Sequence, residues 1–232
     1  MIPDGAIGRR QFLTAAGVAS IGLLAGCSGD NGTTTGGTGS DGERPVRIGS
    51  IQPFSGNFAV WGRVHASGLA FAVDEINGDG GVLGGRELRV VEADSGSDPA
   101  EAASAFERFA EQDNIVAATG PVSSDVGIRT SRTAEALGIP TYMHLAGSND
   151  TITPETRHSF RVGLLPAEPT MRAQAALANA RGYESISAIV ADYAWGRSVR
   201  SAIGKTFDVD VDIQVAPVAE SDFSTYVRQI PD

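Results

Sequence analysis

Residues 46–96, VRIGSIQPFSGNFAVWGRVHASGLAFAVDEINGDGGVLGGRELRVVEADSG, read as strand, glycine-bearing loop, helix, glycine-rich turn and strand. Val46, Ile48 and Ile51 form an apolar strand that Gln52-Pro53-Phe54-Ser55-Gly56 interrupts. Leu69, Ala70, Val73 and Ile76 then recur at helical spacing, which predicts one buried helix face. Gly78, Gly80, Gly81, Gly84 and Gly85 turn the chain into a second strand around Leu88-Val90-Val91. Strand, helix and strand in this order make a parallel β-α-β unit, the seed of an open α/β sheet.

The pattern repeats downstream. Asp98-Pro99-Ala100-Glu101 is a helix start: Asp98 caps, Pro99 suits the first helical position, and Glu101 can reach back as a capping-box acid. Ala102, Ala105, Phe106 and Phe109 give that helix its buried face. Ile115 to Ala118 is a short strand ending at Gly120-Pro121, and a helix from about Ser124 to Leu137 closes at Gly138, where a left-handed cap is wanted. Ile139 to Met143 is the next strand, Phe160-Arg161-Val162 a short extended piece, and Pro169 opens a helix that Gly182 ends. Ile186 to Val190 reads as strand, Ser198 to Phe207 as helix, Val209 to Val215 as strand, with Asp222 capping a last helix. Such alternation predicts parallel sheets covered by helices on both faces.

The N-terminus reads as a targeting segment. Arg9-Arg10-Gln11-Phe12-Leu13 precedes a soft apolar run, Ala15 to Ala25, that ends in Leu24-Ala25-Gly26-Cys27. The arginine pair resembles a twin-arginine export signal, although Gly8 stands where Ser is usual and Thr14 where Lys is common. The last four residues resemble a lipoprotein cleavage site with Cys27 as the lipidated residue. The run has about a dozen residues, short of the roughly 20 that span a bilayer. As the sole cysteine, Cys27 has no intrachain disulfide partner. Residues 28–44, SGDNGTTTGGTGSDGER, hold almost nothing apolar and read as a flexible tether.

The formal charge is −10, Lys205 is the only lysine, and arginine supplies the other positive charges. An acidic surface argues against nucleic acid and against electrostatic docking on anionic lipid. The balance suits a haloarchaeal type of protein in high salt, where excess carboxylates hold water; a high-GC genome favouring Arg over Lys gives a similar composition. Catalytic patterns are poor. His65, His144 and His158 lack metal-ligand spacing, and there is neither a nucleophile elbow nor a Walker motif. The glycines at 78–85 follow a helix and precede a strand, the reverse of the order that cradles a pyrophosphate.

Phe54-Ser55-Gly56, Asp74-Glu75-Ile76-Asn77 and Gly80-Gly81-Val82-Leu83-Gly84-Gly85, in this order, resemble the opening of the extracytoplasmic solute-binding proteins of branched-chain amino-acid ABC transporters. The resemblance implies a type 1 periplasmic-binding-protein fold of two lobes with parallel sheets covered by helices. It covers Val46 to Asp232, about the first half of such a chain, and so implies an incomplete second lobe and a truncated product or partial record. The organisation expected on this basis is a signal over 1–26, a lipidated Cys and tether over 27–45, a first lobe over 46–162 and a second over 163–232. No enzyme activity and no cofactor are implied.

The same resemblance points to site residues. Gly120-Pro121-Val122-Ser123-Ser124-Asp125 leads from the end of a strand into a helix, where unpaired N–H groups and the positive helix end attract an anion. The family binds its ligand's α-carboxylate at the matching turn, which gives that role to Ser124 and Ser123; either could instead cap its own helix. With one inserted residue allowed, Ala146 and Ser148 in His144-Leu145-Ala146-Gly147-Ser148-Asn149 match positions that offer a carbonyl to the ammonium and a hydroxyl to the carboxylate. Trp61 and Trp195, each before a Gly, stand where the family commonly places Tyr against the ligand side chain; both could instead be packing residues. The implied role is delivery of an amino acid or related carboxylate to an ABC permease from a lipid anchor on the outer face of the cytoplasmic membrane. A ligand-sensing module and a non-functional fragment are the competing readings.

Overall fold

A computed structural model describes residues 44–231. The arginine pair, Cys27 and the tether up to residue 43 lie outside the described residues. The chain runs β1 (Val46–Gln52), α1 (Ala59–Gly78), β2 (Leu88–Asp94), α2 (Pro99–Arg108), β3 (Ala117–Thr119), α3 (Ser124–Leu137), β4 (Thr141–Met143) and β5 (Ser159–Arg161). It continues through α4 (Ala167–Arg181), β6 (Ser185–Ala191), α5 (Ala194–Thr206), β7 (Asp210–Ala216) and α6 (Ser224–Val227). Five strands pair in the order β2-β1-β3-β4-β5 and two in the order β6-β7, all parallel. The fold is α/β, with parallel sheets and helices packed on them.

Strand alternation places the core. Gly49 pairs with Val91 and Ala118, and Ile51 with Ala93, so these side chains share one face. That face meets Phe106, Phe109, Ala102, Ala105 and Val126 from the α2–α3 side in one buried cluster. Gly49 is required there, since a Cβ would stand 2.6 Å from Cδ2 of Phe109. A second cluster joins Met171, Val190, Val199 and Ile203 beneath α4 and α5.

Several local signals act as read. Asp98 caps α2 by accepting from the N–H groups of Ala100 at 2.7 Å and Glu101 at 3.0 Å. Gly138 and Gly182 close α3 and α4 with φ of 67° and 69°. Others differ. The capping-box bond from Glu101 does not form, because the Asp98 N–H already donates to the Ser95 carbonyl. Of the expected α1 face only Val73 is buried, while Ile76 is 37% exposed. Coverage of both sheet faces is uneven: Tyr142 and Phe160, paired across β4 and β5, stack at 5.5 Å and stay about two-fifths exposed on the face opposite the α2–α3 core. α4 starts at Ala167, placing Pro169 at its third residue, where a helix still needs no N–H donor. α5 starts at Ala194 and not at Ser198, because extended Tyr193 acts as N-cap and Gly196 lets the first turn pack on the Ala191 backbone.

The order β2-β1-β3 makes the chain reverse direction across the sheet at β1. In an open parallel sheet, ligands collect at that switch, beyond the carboxyl ends of the strands. The loops after β1 and β3 therefore frame the place to look.

Candidate functional site

Beyond β3 the chain turns at Gly120, whose φ of 111° and backbone-to-backbone contact with Ile51 leave no space for a side chain. This turn delivers Ser123 as the N-cap of α3, in extended conformation with φ −65° and ψ 135°. The Ser123 hydroxyl makes no capping bond. The Ser124 hydroxyl does not turn back to its own helix either: it accepts from the Ser148 N–H at 3.1 Å. Self-capping thus explains neither serine.

Ser148 continues the chain of contacts. Its hydroxyl lies 2.9 Å from that of Ser198 on α5 and accepts from the Asp150 N–H at 3.2 Å. Ser198 also accepts from the Asn149 N–H at 3.2 Å. Ser124, Ser148 and Ser198 are 1%, 0% and 7% exposed, so this network is desolvated and its bonds count for more than surface ones. Ala146 packs against Gly127 of α3, where a Cβ would meet its own at 2.5 Å. Trp195 covers Gly147 so closely that a Cβ there would stand 2.5 Å from Cζ3 of the indole. The same indole borders an apolar cavity of about 570 Å³ under α4 and α5, lined by Met171, Val190, Val199, Ile203 and Val211.

Of the six residues singled out from sequence, Ser124, Ala146, Ser148 and Trp195 converge on the 144–149 loop. Ser123 borders it as the α3 cap. Trp61, on the first turn of α1, is 53% exposed and takes no part in these contacts among the described residues.

The sequence reading missed four partners. Asp125, in the first turn of α3, accepts from Arg197 at 2.9 Å and from the Ala194 N–H at 3.3 Å. It thus joins the starts of α3 and α5, with a carboxylate at each positive helix end. Tyr193 sits beside it, and burial together with the Asp125 charge pushes its phenol up to about 12. Arg161, last residue of β5, donates to the Ser148 carbonyl at 2.8 Å and to the Ala146 carbonyl at 3.4 Å, and burial lowers its pKa. The guanidinium therefore holds the loop from below. Ser198 was assigned to a helix start; with α5 beginning one turn earlier it faces the loop instead. Asp125 lies two residues past the Ser123 N-cap, and that first-turn position was the available signal for it.

Nearby, His65 and His144 meet edge to face with ring centroids 4.3 Å apart, and Nε2 of His144 lies 3.0 Å from the Thr119 hydroxyl. Burial, then the neighbouring His65, lowers the His144 pKa to about 4. Among the described residues no three His, Cys, Asp or Glu side chains cluster as a metal site. The arrangement offers hydroxyls, loop amides and a helix start, which are means of binding a small polar group.

The family model described as "Periplasmic binding protein" matches residues 45–232. The chain belongs to the periplasmic binding protein family. It is 35% identical over 108 residues to a Leu/Ile/Val-binding protein homolog of Brucella abortus (strain 2308), a match covering 47% of this chain and 26% of that relative. Among solved structures it resembles a leucine binding protein of Thermotoga maritima MSB8, with TM-score 0.70 and 21% identity over 79% of this chain and 52% of that one. It also resembles a solute binding protein of Rhodopseudomonas palustris BisB5 in complex with 3,4-dihydroxy benzoic acid, with TM-score 0.72 and 16% identity over 80% of this chain and 51% of that one. The chain spans about half the length of the solved periplasmic binding proteins it matches. Their likeness establishes the type 1 periplasmic binding fold.

Proposed function

We propose that this periplasmic binding protein takes up a small carboxylate, an amino acid or an aromatic acid, where the starts of α3 and α5 meet the 144–149 loop, and delivers it to an ABC permease. Residues 46–162 and 163–232 form the two ligand-binding lobes in this reading, Cys27 carries the lipid anchor outside the cytoplasmic membrane, and no covalent chemistry takes place. The observation that carries it is the Ser124–Ser148–Ser198 contact: a helix start at the sheet's switch point is bridged through the 144–149 loop to α5 beside the second sheet. A ligand carboxylate entering here would replace the Ser148–Ser198 hydroxyl contact by bonds of its own to both lobes. Trp195 supplies an apolar wall, Trp61 a second one on closure, and Ser123 an additional donor. The benzoate-type ligand of one structural neighbour and the Leu/Ile/Val relative both support a carboxylate as the common element.

Calorimetric titration of the protein with leucine, isoleucine, valine and hydroxybenzoates tests the reading. Ser124→Ala removes a bond to a charged group worth roughly 1.5–3 kcal/mol, so affinity for the bound acid should fall about ten- to a hundredfold. An affinity unchanged in a folded Ser124→Ala protein removes the α3 start from the site, and saturable binding of none of these acids removes the ligand class. For the anchor, Cys27→Ser should shift the protein out of the membrane pellet on cell fractionation; retention there overturns it.

A further inference from the structure

The opposite end of the five-stranded sheet holds a second, chemically different cavity. It lies at the amino ends of β1 and β3, away from the loops after those strands, and has a volume of about 460 Å³. Arg44, Arg47 and Arg86 line it, and Asp113 is the one acid among its described lining residues. This grouping runs against the composition, in which acids outnumber bases 28 to 18.

The hydrogen bonds these arginines make go to neutral acceptors. Arg47 donates from Nη1 to the Asp113 carbonyl at 3.2 Å, and Arg86 donates from Nε to the Arg44 carbonyl at 2.8 Å. Among the described residues none of the three stands within 4.0 Å of a carboxylate oxygen as an ion pair. The two bonds fix both side chains by one nitrogen each and leave the rest of each guanidinium to donate. Three like charges around one hollow repel one another, and a planar fork of N–H donors matches a tetrahedral oxyanion.

We infer that the Arg44–Arg47–Arg86 cavity is a binding site for a phosphate-class oxyanion, either free or as the head group of an anionic lipid. The overall acidity of the chain opposes adsorption of such groups over the surface at large, so binding is confined to this hollow. Being remote from the α3 start, the site operates whether or not the proposed carboxylate site is filled.

The test uses the full chain carrying Cys27→Ser, so that no acyl chain contributes. Inorganic phosphate is titrated calorimetrically, and sedimentation is compared on phosphatidylglycerol and phosphatidylcholine vesicles. Phosphate binding, or sedimentation selective for phosphatidylglycerol, should fall at least about tenfold in Arg86→Gln and in Arg47→Gln; the first outcome assigns a free anion and the second a head group. Salt adds a second readout. The screening length shrinks from about 10 Å at 0.1 M to 3 Å at 1 M, so diffuse attraction fades while bonded contacts persist in part. Absence of phosphate binding with equal sedimentation on both lipids overturns the proposal, as does binding that survives both substitutions or vanishes entirely at 1 M salt. Should Arg47→Gln lose its far-UV circular dichroism, Arg86→Gln decides alone, because Arg86 lies outside the strands.

Discussion

Ser124→Ala separates a serine that holds the site together from one that merely stands beside it. The Ser124 hydroxyl is 1% exposed and accepts the N–H of Ser148, which is itself fully buried. Without that oxygen the amide is left in a dry environment, a loss of about 1–3 kcal/mol. For a chain of this size each kcal/mol lowers the melting temperature by roughly 2–4 °C, so a loss of about 2 kcal/mol becomes roughly 4–8 °C. Ser123→Ala is the internal control. It sits one residue earlier, is 4% exposed, and makes no capping bond, so its removal should cost well under 1 kcal/mol. Scanning calorimetry without ligand on both variants gives the comparison directly. Equal losses, or a larger loss for Ser123→Ala, refute the network. Using ligand-free protein keeps this result separate from the affinity test.

Gly49→Ala should destabilise by about 1–3 kcal/mol, read from urea denaturation, because the added methyl overlaps the buried Phe109 ring; an unchanged midpoint refutes that packing. His144 has a native pKa of about 4 against an ordinary 6.5, so the unfolded chain binds the proton first as the pH falls. Stability should then be full above about 6.5, decline towards 4 and level off below it, by on the order of 3 kcal/mol in denaturation midpoints, and His144→Gln should flatten this slope. Arg197→Ala should change stability by less than about 1 kcal/mol, since the Asp125–Arg197 pair is largely solvated; a melt lowered beyond that range makes the pair more than a surface contact.

Much of the fold was legible because its elements announce themselves locally. The Asp98-Pro99 start and the Gly138 and Gly182 stops are each set by neighbours within a few residues. Boundaries failed where tertiary contacts decide them. α5 begins at Ala194 because Gly196 allows a close approach to Ala191, a contact that no helical periodicity encodes. The α1 face failed for a related reason: spacing selected Leu69, Ala70, Val73 and Ile76, yet packing buries only Val73.

The site was legible by half for the same reason. Ser124 and Ser148 could be named from the turns that follow β3 and β4. Ser198 lies 50 residues beyond Ser148, and Arg161 reaches the loop from the end of β5. Both contacts arise from packing between elements and leave no trace in spacing. Their consequence is physical. The 144–149 loop has little apolar area of its own, so three anchors fix its shape: Ser124 above, Arg161 below and Ser198 across. Only the third crosses to the second sheet, and it is a neutral hydroxyl pair. The adjacent charged pair, Asp125–Arg197, contributes little because its side chains are 37% and 58% exposed. Contact between the two sheets here combines this pair with the Asn149 N–H to Ser198 bond and the packing of Trp195 on Gly147. The hydroxyl pair is the part that the proposed carboxylate could take over, since a hydroxyl donates to a carboxylate more strongly than to another hydroxyl. In the proposed function, exchange of this neutral bond for a charge-assisted one would be the ligand's source of differential affinity for the form in which both serines reach it.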